Sequence, residues 1–77
     1  MKVKILRLES KLFDGEASSL TLPSELGQIT ILPKHISILT KLTKGKITVR
    51  SDSETKEFEI NSGVCNLAND LASVILY

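Results

Sequence analysis

The chain reads as an all-β domain, a sandwich or barrel of short strands. Three observations carry that reading. Apolar and polar residues alternate with the period of a half-buried strand at Val3 and Ile5, at Ile47 and Val49, and at Phe58 and Ile60. Turn-forming residues interrupt these runs at short intervals. Nowhere do apolar residues recur at i, i+3, i+4 and i+7 across a long capped window, as an amphipathic helix requires.

The 77 residues predict a single domain over residues 1–77, near the lower size limit for a chain that folds without staples. A net charge of +1 supplies no basic field for nucleic acid, and 4% aromatic residues leave little to stack on a base or a sugar. One cysteine permits no internal disulfide. The opening Met1-Lys2-Val3-Lys4-Ile5 alternates where a signal peptide would be continuously apolar. No apolar run approaches the roughly 20 residues of a membrane-spanning helix, so any role at a membrane is expected to run through another protein.

Along the chain, Val3 and Ile5 alternate with Lys2 and Lys4 in a first strand. Ile5 and Leu6 are adjacent, which slips the phase and predicts a bulge or a change of facing. Leu12-Phe13 is a short apolar pair, and Asp14-Gly15 after it predicts a turn. From Ala17 to Leu22, Leu20 and Leu22 share one face and Thr21 the other. Pro23 and Gly27 then frame an exposed bend, followed by Ile29-Thr30-Ile31.

Pro33, with φ fixed at about −65°, turns the chain before Ile36, Ile38, Leu39 and Leu42. Lys44-Gly45-Lys46 breaks that run. Ser51 to Glu54 lies between Ile47-Val49 and Phe58-Ile60 as the polar loop of a hairpin. Asn69-Asp70, two residue types that tolerate left-handed geometry, predicts a second hairpin joining Val64–Leu67 to Ser73–Leu76.

Catalytic chemistry finds little purchase. Cys65 and His35 are a conceivable nucleophile and base, but a cysteine in a strand-like run is usually buried and inert. Without Cys-x-x-Cys or His-x-x-x-His spacing there is no zinc pattern. Glu57 and Glu59 share the solvated face of a strand whose Phe58 and Ile60 point inward. Lys41, Lys44 and Lys46 belong to no phosphate-binding loop and read as solvated charge.

Leu32-Pro33-Lys34-His35-Ile36-Ser37-Ile38-Leu39-Thr40 resembles the Pro-Gly-His-Ala-Pro-Leu-Leu-Thr segment of the F-type ATP synthase epsilon subunit. Phe13-Asp14-Gly15-Glu16, Thr21-Leu22-Pro23 with Gly27, Lys44-Gly45, and Phe58-Glu59-Ile60-Asn61-Ser62-Gly63 resemble its other landmarks in the same order. There are departures. Lys34 and Thr30 stand where the family usually has glycine, Ile36-Ser37 replaces Ala-Pro, and Asn66 replaces a common Glu. The family's C-terminal helical hairpin does not follow Tyr77, which fits either a short epsilon or a truncated one. A chain of this kind is expected to support coupling without imposing the hairpin's inhibition.

The resemblance implies a sandwich of two five-stranded sheets, about ten short strands in all. It implies a non-catalytic subunit at the foot of the rotary central stalk, linking the gamma subunit to the c ring and coupling ion flow to ATP synthesis. No cofactor or metal is implied, and contact with the membrane runs only through the complex, on its inner face. By the same resemblance Leu26, Gly27, Gln28, Ile29 and Thr30 face the c ring, with Gln28 at an often acidic position. Arg7, His35, Ser37 and Thr40 face gamma. The residues alone fit a stand-alone ligand-binding or adaptor β-sandwich equally well.

Overall fold

A computed structural model describes residues 1–34 and 37–77, and among them every regular element is a strand. The nine strands are β1 (Lys2–Arg7), β2 (Ser10–Glu16), β3 (Ser19–Ser24), β4 (Gly27–Ile31), β5 (Ile38–Leu42), β6 (Gly45–Arg50), β7 (Thr55–Ile60), β8 (Gly63–Ala68) and β9 (Leu71–Leu76). They form one curled sheet in the order β2-β1-β9-β8-β5-β3-β6-β7, with β4 attached to β3. The link between β5 and β3 is a single pair, Ser24 opposite Leu42, and here the sheet bends into two layers. The expected small all-β sandwich is therefore present, with nine strands where about ten were expected and its two layers continuous at one corner. Among the described residues only β1 and β9 run parallel.

Alternation builds the core. Val3 and Ile5 of β1, Ala72 and Val74 of β9, and Cys65 and Leu67 of β8 are buried from one layer. Leu20 and Leu22 of β3, Ile31 of β4, Ile47 and Val49 of β6, and Ile60 of β7 are buried from the other. Period-two patterning puts each set on one face of its sheet, so closing the layers removes both from water together. Phe13 and Phe58 meet edge-on at 6.4 Å between ring centroids and close the open side.

The phase slip at Ile5-Leu6 is a bulge. Ile5 pairs with Phe13 and Leu6 with Lys11, so Leu12 has no partner on β1. The expected turn at Asp14-Gly15 is not there, because β2 continues through both residues to Glu16. The chain reverses earlier, at Leu8-Glu9, where Leu8 takes φ 43°. Gly15 lies within the strand without left-handed geometry, and a Cβ there would make only ordinary contact with the Phe13 ring at 3.6 Å. The Ser51–Glu54 and Asn69-Asp70 hairpins form as expected, with left-handed φ of 53° and 59° at Asn69 and Asp70.

Candidate interface

The β3–β4 hairpin ends in Glu25-Leu26, with Ser24 paired to Gly27. Ser24 is the one buried polar side chain of the described core, and its hydroxyl ties the turn from inside. It donates to the Gly27 carbonyl at 2.6 Å and accepts from the Leu26 N–H at 3.2 Å. Gly27 takes φ 111°, a conformation that a side chain would strain. The result is a rigid tip that holds Leu26 95% exposed.

Of the five residues expected to face a partner here, Leu26, Gly27, Gln28 and Thr30 are exposed. Ile29, expected to face a partner with the other four, is half-buried against the core and pairs with the buried Leu22. The reason is parity. Ile29 and Ile31 share the inner face of β4, whereas Gln28 and Thr30 share the outer one. The five residues form one continuous feature.

Beyond β4 the chain turns at Pro33-Lys34. Lys34 adopts φ 63°, the conformation expected of the glycine it replaces. Its N–H donates to Asp70 Oδ1 at 2.9 Å, so the β8–β9 turn supports this corner.

The other predicted group is spread wider. His35 lies outside the described residues. Ser37 is exposed just before β5, and Thr40 is half-buried on β5 opposite Cys65. Arg7 ends β1 opposite Leu76, and β9 and β8 separate it from β5. Its guanidinium reaches the Glu59 carbonyl at 3.5 Å, over an open cleft of about 480 Å³ shared with Lys44, Lys46 and Asn61. Arg7 and Thr40 belong to inward-pointing rows of the sheet, and Ser37 lies outside the strands.

Sequence reasoning missed an outward apolar row. Leu6, Ile75 and Val64 are consecutive cross-strand neighbours over β1, β9 and β8, with Leu6 and Ile75 exposed. The available signal was the doubled hydrophobicity at Ile5-Leu6 and at Val74-Ile75-Leu76, where alternation alone would place a polar residue.

Cys65 is fully buried, and burial pushes its thiol up to about 11. It therefore stays protonated at neutral pH, which removes the thiolate a nucleophile needs. Glu57 and Glu59 lie on the exposed face of β7, where Glu57 approaches Lys46 at 3.9 Å. The chemistry on offer is that of contact: a shaped hairpin tip, an apolar row and a cationic cleft.

Comparison with known proteins agrees with this architecture. The family described as the β-sandwich domain of the ATP synthase delta/epsilon chain matches residues 1–76. The ATP synthase epsilon chain of Hydrogenovibrio crunogenus is 36% identical over 75 residues, covering 97% of this chain and 52% of that one. The epsilon chain of a Synechococcus strain is 32% identical over 76 residues, covering 99% and 56%. The chain thus spans about half the length of the curated relatives it matches.

Among solved structures, the Euglena gracilis mitochondrial ATP synthase contains a chain of the same fold, with a TM-score of 0.89 at 14% identity over 96% of this chain and 48% of that one. The Tetrahymena thermophila mitochondrial ATP synthase central stalk and c-ring structure contains another, with a TM-score of 0.81 at 20% identity over 97% and 61%. With the sequence match running from end to end of the fold, this chain belongs to the ATP synthase delta/epsilon β-sandwich family.

Proposed function

We propose that this chain is the β-sandwich portion of an epsilon subunit in a rotary F-type ATP synthase. It sits at the foot of the central stalk, joins gamma to the c ring, and helps couple ion flow to ATP synthesis without bond chemistry of its own. Its place is peripheral, on the inner face of an energy-transducing membrane, held there by the complex. Family membership over residues 1–76 is the observation that carries this reading. The Ser24-braced tip, with Leu26 through Thr30 on one rigid hairpin, supports the c-ring assignment. Arg7, His35, Ser37 and Thr40 are assigned to gamma by the family pattern. The spread of Arg7 and Thr40 over β1 and β5 implies a broad contact on that side.

Crosslinking in the assembled enzyme tests the assignment. A cysteine placed at position 28 should couple to a c subunit. Coupling only to the catalytic subunits would overturn it.

A further inference from the structure

Three strands have a single neighbour among the described residues: β2, β7 and β4. Unpaired edges invite pairing with another chain, and proteins usually blunt them with charge, proline or bulges. β2 carries Lys11, Asp14, Glu16 and a bulge, and β7 carries Lys56, Glu57 and Glu59. These two also approach each other, with Phe13 on Phe58 and the Lys56 ammonium 5.7 Å from the Phe13 ring centroid. β4 has none of these guards. Its sequence Gly27-Gln28-Ile29-Thr30-Ile31 contains no charge and no proline, and its register with β3 is unbroken.

The direction of its free backbone groups follows from β3. In an antiparallel sheet a residue's N–H and C=O point to the same neighbouring strand. The Pro23 carbonyl accepts from the Thr43 N–H at 2.9 Å, so Pro23 and Thr21 face away from β4. Ser24, Leu22 and Leu20 therefore bond to Gly27, Ile29 and Ile31, their partners in register. This leaves Gln28 and Thr30 aiming N–H and C=O at the open side. The 3.1 Å contact between the Thr21 and Thr30 hydroxyls fits the closer spacing of a non-hydrogen-bonded pair at that position.

We propose that β4 is the pairing edge of a weak homodimer, running antiparallel to β4 of a second copy about a two-fold axis through Ile29. In that register Gln28 of each copy faces Thr30 of the other, and four main-chain hydrogen bonds satisfy every outward group on both strands. Leu26 of one copy lies opposite Leu32 of the second, joining two leucines that are 95% and 56% exposed. No charged residue lies on β4, so no like charges oppose within the paired strands. This self-complementarity selects a second copy over an unrelated strand. Five residues a side fall well short of the ~800 Å² per partner of a standard interface, so the dimer forms at high protein concentration. It occupies the hairpin proposed to face the c ring, but its argument rests on the edge of β4 alone.

Sedimentation equilibrium and amide hydrogen exchange on the 77-residue chain test this between about 10 µM and 1 mM. The apparent mass should rise from 8.5 kDa towards twice that value. Exchange at the Gln28 and Thr30 amides should slow about two- to fourfold over the range, as mass action allows for a chain monomeric at its lower end, while Ile29, already bonded to β3, stays constant. The double variant Gln28→Lys with Thr30→Lys sets lysine against lysine twice and should remain monomeric with an unchanged circular-dichroism spectrum. Gln28→Pro, which deletes one outward donor, should also weaken the dimer. A mass fixed at 8.5 kDa throughout would overturn the proposal. So would undiminished pairing by the double-lysine variant, protection that moves to β2 or β7, or protection that requires an added foreign peptide.

Discussion

The Lys34 N–H donates to the Asp70 carboxylate at 2.9 Å, across 36 positions of sequence. Both residues hold left-handed backbone, at φ 63° and 59°. The Asp70 carbonyl also accepts from the Lys2 N–H at 3.0 Å, so one residue ties the β4–β5 corner to the β8–β9 turn and the start of β1. A hydrogen bond to a charged acceptor contributes about 1.5–3 kcal/mol, and left-handed geometry costs a side-chain-bearing residue about 1–2 kcal/mol.

Asp70→Ala should therefore lower unfolding stability by about 1–3 kcal/mol, read as a lower urea midpoint at constant slope. Lys34→Gly should raise it by about 0.5–1 kcal/mol, the relieved strain exceeding the added chain entropy. An unchanged midpoint for Asp70→Ala would mean that the tie does not hold in solution.

Ser24 and Gly27 set the hairpin tip by different means. Ser24→Ala removes two hydrogen bonds from a buried hydroxyl and should cost about 1–3 kcal/mol. Gly27→Ala meets no atom within 4 Å, so its cost is backbone strain alone, about 1–2 kcal/mol. Hydrogen exchange would separate them from a general weakening: both variants should speed exchange at Leu26 and leave β8 amides slow. Equal acceleration throughout the sheet would remove the local reading.

Much of this architecture is legible in the sequence wherever the determining signal is local. Alternation at Val3-Ile5 and Phe58-Ile60 gives the inward faces, Ile5-Leu6 gives the bulge, and Asn69-Asp70 gives a hairpin turn. Asp14-Gly15 misleads because the pairing of β2 with β1 carries both residues through as extended strand. The Lys34–Asp70 tie and the Leu6–Ile75–Val64 row depend on which strands become neighbours, and that depends on the parallel β1–β9 pairing. For the candidate interface, the Pro23 and Gly27 corners mark an exposed hairpin. Burial of Ile29 required knowing that β4 lies over the core, and the proposed partners rest on family likeness.

Gly45 and Pro23 show a close approach where the start of β6 lies beside the end of β3. A Cβ at Gly45 would lie 2.8 Å from Pro23 Cβ and 3.1 Å from Cγ. Gly45→Ala should cost about 1–3 kcal/mol through overpacking. Combining it with Pro23→Ala should recover part of that loss, because the γ-carbon is gone and β3 can shift. Additive losses in the double variant, within about 0.5 kcal/mol, would place the strain elsewhere.

Cys65 links burial to pH. Its ordinary value of 9.0 rises to about 11 because the folded protein offers a thiolate no water, so the folded state keeps a proton that the unfolded chain releases. The sign follows by linkage. The stabilisation is complete below about pH 9, falls as pH rises, and levels off above about pH 11, with a slope approaching 1.4 kcal/mol per pH unit between them. Other groups titrate in that range, so the comparison is with Cys65→Ala, which is less stable at neutral pH because it leaves a cavity. Urea unfolding at pH 8, 9.5 and 10.5 should show the wild type losing stability more steeply than this variant, so that their difference narrows. A thiol reagent at pH 8 should label Cys65 only as fast as the domain opens. Parallel pH profiles, or labelling much faster than opening, would show that the thiol reaches solvent and that burial does not govern its ionisation.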